Sequence, residues 1–572
     1  MTPPVDYRSY AALIGAGLLV AAFWSAGEAA GHYLILYGRH GWAAPEAAFL
    51  LNYLLLGLPA AALTTVALAG WRGGWLAGQF ERLGSRPGTT GSGWVWLTAG
   101  LVGVLITLAR YTLLRDIAIT DDENVYDFMA RVWASGRLFA LSPPPAIRAF
   151  FENQFIVNDG RWYGIYAPGH PLLLTVGQWL GAIRWVTTLE AVLTVPLAWA
   201  LARRLFGERS AVLTTALLVV SPFFILVSAT MLSHPTATLA LSGFAYSAVR
   251  VLDHPRSPLW WGAAAGAIGY AGLTRPLTAV AFVLPWLVLF GQAAVRDREA
   301  RRGACLFAAL GCAAIGLFLA YNAAVTGHPL RSGYHVFAES YGFSFTQGSL
   351  PVSPPFAALY ELFYALARLN FWLLGWPVSL LFVAFALHTR AARTLGLSAL
   401  ATVVAYALLR IPSINVVGPV HYAELTVPLL VLSAGGLDRL ATCSARFAGR
   451  QGPRVVVSTP IALAVVTALF FWPVYAPSLR WMADVARAPY DLVERARLEN
   501  AVVFVGTLPA LVSPPGAWVY RTRNNSPDLS DPVLFVNDLG PDNVHLRRML
   551  PGRRAYRLSM ERGVLTLAPL TP

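Results

Sequence analysis

Asp116-Ile-Ala-Ile-Thr-Asp-Asp-Glu-Asn-Val-Tyr126 is a polar, acid-bearing stretch set between long hydrophobic segments. That contrast decides the fold. Of the 572 residues, 56% are hydrophobic and 13% are charged, against roughly 25% charged in an average soluble domain. The mean hydropathy is +0.55, so the chain is built for a bilayer. A run of about 20 apolar residues spans the hydrocarbon core, and such runs recur from Tyr10 to Pro473, about thirteen in all. The class expected is a polytopic α-helical membrane protein, with the acidic stretch as one of its surface loops.

Arginine orients the spans, because cytoplasmic loops collect positive charge. Basic breaks at 72–86, 202–209, 250–256, 296–302, 388–393 and 438–454 read as inside loops. The intervening breaks at 115–185, 231–235, 324–365 and 411–422, and everything after about residue 476, then face outward, with the N-terminus cytoplasmic. One segment does not fit as a crossing. Residues 171–182 are too short, and counting them as a span would place the basic 202–209 loop outside, so a half-inserted or interfacial helix is expected.

The first apolar segment lacks the ordered charged, apolar and small-residue regions of a cleaved signal and reads as a retained helix. The net charge of +14 is carried by arginine, with no lysine in the chain. It concentrates in inside loops, where anionic headgroups attract it, and nucleic acid is not an expected partner. Lysine-free, alanine-rich usage fits a GC-rich bacterial genome. Cys305 and Cys312 fall in one expected helix and Cys443 in an inside loop, which gives no disulfide framework.

The character of the chain changes near Pro477. A helix is expected over 482–498, then short apolar runs at 501–506, 532–536, 555–558 and 563–567 punctuated by Pro, Gly, Asn and Asp. The division expected is two helices and an inside loop over 1–93, a membrane module over 94–476 with exported loops 115–185 and 324–365, and a small exported α/β domain over 477–572. Within the 324–365 loop, the stretch 327–362 is long and polar-aromatic enough to act as a lid over the outer face.

Asp121, Asp122 and Glu123 precede a segment with the spacing of a short amphipathic helix, which holds the carboxylates at the membrane surface. A carboxylate there can take a proton from an attacking hydroxyl. The same acids suit a helix N-terminus, where Thr120 or Asp121 caps and the charges complement the dipole. Other polar groups gather on the exported side. Tyr166-Ala-Pro-Gly-His-Pro171 belongs to the same loop, Ser233-His-Pro235 follows the fifth span, Thr274-Arg-Pro276 follows the seventh, and Arg410 with His421-Tyr422 flanks the break before the twelfth. Arg275 at a helix end either snorkels to headgroups or binds an anion. His170, His234 and His421 lack close ligand spacing, so no metal is expected.

In order, Asp122-Glu-x-x-Tyr126 with Ala130 and Gly136, Ala167-Pro-Gly-His-Pro171, Leu205-Phe-Gly207 after a double arginine, Leu273-Thr-Arg-Pro276, Tyr321-Asn-x-x-x-x-Gly327, and Tyr422 with Pro428 resemble the integral-membrane GT-C glycosyltransferases. The branch resembled contains bacterial protein O-mannosyltransferase-like enzymes and lipid A aminoarabinose transferases, over roughly residues 94–440. The resemblance implies a polyprenyl-phosphate-linked sugar as donor, undecaprenyl phosphate being the bacterial carrier. It also implies a lipid, glycan or protein acceptor reached from the exported face, and inversion at the anomeric carbon.

By the same resemblance Asp122 is the general base and Glu123 the partner that orients acceptor or base. Arg275, His421, Tyr422 and Arg410 contact the donor phosphate, while Asp121, Tyr126, His170 and His234 position substrate or loop. Two departures stand out. Ser233-His234-Pro235 occupies a position where a second acid is common in the superfamily, which argues against a metal cofactor. His421 stands where arginine is common. The rival class is a transporter or lipid flippase of the cell envelope, but such proteins place charged groups and broken helices near the bilayer midplane rather than at one face.

Overall fold

The computed structural model describes residues 7–27, 44–85, 91–341, 355–409, 416–506, 525–561 and 564–570. The chain is a bundle of helices with two small sheets. Among the described residues eight helices are long and apolar enough to cross a membrane, or up to ten if each of two bent pairs counts as one span. Three further helices fall outside that test. Tyr7–Gly27 has a short apolar part, Pro258–Thr274 is 17 residues long, and His234–Asp253 carries too many polar residues. The described residues thus hold eight to ten candidate spans where the sequence led to an expectation of about thirteen.

The two bent pairs are Glu208–Val220 with Pro222–Ser228, at 60°, and Pro355–Leu374 with Ser379–Ala386, at 92°. Pro222 and the Ser221 cap, whose hydroxyl accepts from Phe224 N at 3.2 Å, start a new helix at the first bend. At the second, Gly375 takes φ +65°, and Asn370 bridges the break by donating to the Pro377 carbonyl at 2.7 Å and accepting from Leu380 N at 2.9 Å. Such side-chain substitution is what membrane-depth backbone requires wherever a helix is interrupted.

Helix Val420–Ala448 forms the interior, with 94% of its most apolar window buried, while Arg298–Thr326 has 6% buried. Being apolar on every side suits the second helix to lipid. Close packing in the interior uses glycine. A Cβ on Gly436 would run into the Phe382 carbonyl oxygen and lie 2.8 Å from its carbon.

On the acidic-loop side, helix Asp121–Ala134 is followed by a three-stranded antiparallel sheet of Ala140–Leu141, Arg161–Gly164 and Ile156–Asp159, in that spatial order. Gly169–Trp179 has 11 residues, about 16 Å at roughly 1.5 Å per residue, half the hydrocarbon thickness.

After Gln451 the helix continues through a π turn at Thr467–Phe471 to Arg495, 45 residues without a stop. It passes through Pro477, where a break was expected. Its far end grips the acidic loop: Arg115 pairs with Asp484 at 3.1 Å and Asp491 at 3.2 Å, and Arg480 donates to the Thr112 carbonyl at 2.5 Å. Beyond it lies a four-stranded sheet in the order Val533–Asn537, Ala501–Val505, Arg554–Glu561, Val564–Pro569, parallel except for the last pair. All four strands fall on or beside the apolar runs read from sequence. The sheet rests on the loop through Asn537, which donates to the Ala149 and Glu152 carbonyls at 3.0 and 2.9 Å. Cys443 is helical rather than in a loop, and the three cysteines are free.

Gly436→Ala should cost about 1–3 kcal/mol through overpacking, seen as a lower thermal midpoint of the detergent-solubilised protein. An unchanged midpoint would contradict the tight approach of helix Thr426–Ala448 to Phe382.

Candidate active site

Two neighbouring acids at the start of helix Asp121–Ala134 have opposite surroundings. Thr120 and Glu123 form a capping box, the arrangement that satisfies orphan N–H groups at a helix start. Glu123 Oε2 accepts from Ile119 N at 2.9 Å, from Thr120 N at 3.3 Å and from the Thr120 hydroxyl at 3.3 Å. Its Oε1 accepts from Met231 N at 2.8 Å. Burial pushes the Glu123 carboxyl above its ordinary range, against the pull of the Met231 and Ile119 N–H groups. With both oxygens occupied by backbone donors, Glu123 joins the loop to the turn that follows the first bent pair.

Asp122 is half-buried and accepts a hydrogen bond on Oδ1 from the Tyr166 hydroxyl. Burial and the Asp122 charge hold the Tyr166 phenol well above its usual value, so it remains a donor. Asp121, also half-buried, is the first residue of the same helix. The Tyr166 and Tyr126 rings lie 4.5 Å apart, and Tyr334, from helix Gly333–Tyr341 of the long outer loop, closes on Tyr166 at 5.7 Å.

From Tyr126 the contacts run toward a half-buried cation, Arg275. The Tyr126 hydroxyl donates to Ser233 Oγ at 3.0 Å, and Arg275 Nη1 donates to the same oxygen at 3.4 Å. Arg275 Nη2 reaches the Tyr406 hydroxyl at 3.1 Å and His421 Nδ1 at 3.3 Å. Arg275 Nε stands 2.8 Å from Glu424 Oε1, an ion pair off the line of a hydrogen bond. His234 Nδ1 approaches the same Glu424 oxygen at 2.9 Å. An acid is therefore present beside Ser233-His234-Pro235 after all, supplied by a distant helix.

Of the residues expected in the site, Asp122, Tyr126, His234, Arg275 and His421 come together through these contacts. His170 is buried beneath them, its ring edge-on to Tyr126 at 4.8 Å, with Nε2 on the Met231 carbonyl at 2.9 Å and Nδ1 on Thr236 Oγ1 at 2.7 Å. Tyr422 is buried 5.8 Å from the Tyr406 ring. Arg410 lies outside the described residues. Among the described residues no cluster of three metal-ligating side chains occurs.

Glu424, Tyr406, Tyr334 and Glu190 carry no role in the sequence reading. For the two acids a signal existed: Glu190 is the one carboxylate of helix Val186–Phe206 and Glu424 opens an apolar span, placements that mark function or pairing in a membrane. The tyrosines offered none, being indistinguishable from interfacial aromatics.

Residues 172–321 match the family model described as dolichyl-phosphate-mannose-protein mannosyltransferase. The stretch includes Glu190, His234 and Arg275. No curated protein matches the chain. Among solved structures, ArnT from Cupriavidus metallidurans bound to undecaprenyl phosphate aligns at 17% identity, over 82% of this chain and 93% of that one, with a TM-score of 0.49. The archaeal oligosaccharyltransferase AglB from Archaeoglobus fulgidus, in complex with an inhibitory peptide and a dolichol-phosphate, aligns at 12% identity over 82% and 69%, with a TM-score of 0.41. The class that the chain resembles is the GT-C integral-membrane glycosyltransferases. Within that class, the match over residues 172–321 is to the mannosyltransferase family.

Two stability outcomes follow. Glu123→Gln places an NH2 group against N–H donors and should cost about 1–3 kcal/mol, whereas Asp122→Asn, which still accepts from Tyr166, should leave the thermal midpoint near wild type. For His170, burial lowers the imidazole from 6.5 to about 4. The unfolded chain then binds a proton that the folded chain refuses, so stability present above about pH 6.5 is lost as pH falls toward 4. Thermal melts of wild type should show that slope, and His170→Gln should flatten it.

Proposed function

We propose that this protein is an inverting glycosyltransferase that moves a sugar from a polyprenyl-phosphate donor to an acceptor hydroxyl or amine on the exported face of a bacterial inner membrane. The observation carrying this reading is the continuous line of contacts from the Asp122 carboxylate through Tyr166, Tyr126 and Ser233 to the Arg275 guanidinium. The family match supports it on the Arg275 side.

Asp122 is the proposed base. The acceptor attacks the anomeric carbon opposite the phosphate and its proton passes to Asp122, while the bond from that carbon to the phosphate oxygen breaks and its electron pair leaves with the phosphate. A phosphate leaving group needs charge stabilisation rather than protonation, which Arg275 supplies with His421, Tyr422 and Arg410 as further donor contacts. Glu424 and His234 hold the guanidinium in place. Asp121 and Tyr126 shape the loop around the acceptor, and Glu123 fixes the orientation of its neighbour Asp122. No metal is required by this scheme.

Residues 94–476 form the catalytic module in this reading, with the N-terminus cytoplasmic and residues 477–572 exported as a support for the acidic loop. The lipid tail of the donor lies between helices, and Tyr334 on the outer loop helps to exclude water from the sugar.

Asp122→Asn should lower turnover by about three or more orders of magnitude with little change in donor KM, as removal of a base does. Arg275→Ala should lower kcat and raise donor KM together. The assay is release of free polyprenyl phosphate by the purified protein from a panel of polyprenyl-phosphate sugars, with envelope extract supplying acceptors. Near-normal release by Asp122→Asn would remove that residue from the mechanism.

A further inference from the structure

Below the proposed site, three buried side chains form a chain that the transfer chemistry does not use. Glu190 Oε1 lies 2.6 Å from Thr236 Oγ1, which lies 2.7 Å from His170 Nδ1, and His170 Nε2 lies 2.9 Å from the Met231 carbonyl. Glu190, Thr236 and His170 are each at most 4% exposed. The protons can be counted. A carbonyl oxygen has none, so His170 Nε2 carries the hydrogen in that contact. With Nε2 protonated, a neutral imidazole leaves Nδ1 as an acceptor. A hydroxyl has one proton, and Thr236 therefore cannot donate both to Nδ1 and to an ionised Glu190. Ionised Glu190 with neutral His170 would leave two acceptors facing each other at hydrogen-bond distance.

One more proton is needed, on the carboxyl or on the ring. Two features of the carboxyl decide. Among the described residues Glu190 takes part in no salt bridge, since none of the ion pairs includes it. Its second oxygen, Oε2, is buried with no hydrogen-bond partner. An ionised carboxylate left with a single hydrogen bond and no cation is far costlier to bury than a neutral carboxyl with one bare carbonyl oxygen. The ring is also a poor place for the charge, because it is enclosed, meets the field of His234 and is held toward neutrality.

We propose that Glu190 is a positioning residue that stores a proton: its carboxyl donates to Thr236, Thr236 donates to His170 Nδ1, and His170 Nε2–H is thereby directed at the Met231 carbonyl. The groups facing this chain are Tyr270 toward Glu190, from helix Pro258–Thr274, and His234 and the Tyr126 ring toward His170. Met231 is the residue whose N–H is taken by Glu123. The stored proton thus fixes the second polar group of a residue that the acidic loop already holds by the first. Two residues further on, Ser233 joins Tyr126 to Arg275. The consequence for the site rests on the glycosyltransferase reading, but the proton count does not.

The test uses the purified full-length protein in detergent. In infrared difference spectra at neutral pH, wild type minus Glu190→Gln should show a protonated carboxylic acid band present in wild type and lost in the variant. Loss of a carboxylate band instead would overturn the proposal. Gln reproduces the donor of a protonated carboxyl, so Glu190→Gln should keep the wild-type thermal midpoint, whereas Thr236→Val, which cuts the chain, should lower it and Thr236→Ser should restore it. A Gln variant as unstable as the Val variant would also count against a neutral Glu190.

With a donor that wild type consumes, Glu190→Gln should retain kcat within about threefold, while Thr236→Val should lower it about tenfold or more through misplacement. If wild type consumes no donor, the glycosyltransferase reading fails while the spectroscopic result still decides the proton.

Discussion

The turn at 228–233 is the constraint on which the rest of the site depends. It lies between the short helix Pro222–Ser228 and helix His234–Asp253, where the chain leaves helical geometry among tightly packed neighbours. Backbone groups freed in such a place have no water to turn to and must be met by side chains. Arg110, itself buried, donates to the Ala229 carbonyl at 3.0 Å and the Ser228 carbonyl at 3.3 Å, and is anchored by Thr187 at 2.9 Å. Glu123 takes the Met231 N–H and His170 the Met231 carbonyl. Three charged or titratable groups from three separate segments are thus committed to one short turn, and the turn in return sets Ser233 between Tyr126 and Arg275.

This commitment separates the roles of adjacent acids. Glu123 is enclosed by donors on both oxygens, so its carboxyl is committed to structure. Asp122, one residue earlier and rotated about 100° around the helix, leaves that enclosure and meets a phenol instead. A carboxylate that accepts from a phenol can exchange that partner for a substrate hydroxyl more readily than one bound by four backbone and hydroxyl donors. The cation side has the same division. Glu424, with 0% of its side chain exposed and His234 beside it, holds Arg275 from below, while Tyr406 and His421 meet its Nη2. A buried ion pair of this kind costs desolvation and adds little net stability, so its value lies in fixing the guanidinium.

The long helix that runs from Gln451 to Arg495 extends this support outside the bundle. At about 1.5 Å per residue it is about twice as long as the hydrocarbon core is thick. Its outer end pairs with Arg115, which together with Asp116 adopts left-handed backbone just before the acidic loop, φ 57° and 49°. Strain of this kind in non-glycine residues persists only where surrounding contacts hold it. The sheet beyond the helix then rests on carbonyls at 149 and 152, so the C-terminal part and the acidic loop are one packed unit.

Much was legible in the chain itself. Apolar runs, arginine-rich breaks, the acidic loop and the four strand-forming runs near the C-terminus are local properties, because span length, hydropathy and turn chemistry act over a few to about 20 residues. The order of the short motifs was legible too, and Asp122, Tyr126, His234, Arg275 and His421 do converge. What could not be read was pairing across the bundle. Which of Asp122 and Glu123 is taken up by backbone donors depends on a turn more than 100 residues away, as the Glu123 bond to Met231 shows. The partners of Arg275, the Tyr166 bond to Asp122 and the proton count around Glu190 likewise arise only when remote helices bring buried polar groups within about 3 Å. At that range, in a medium of low polarity, hydrogen-bond and charge complementarity are decided by geometry that composition does not carry.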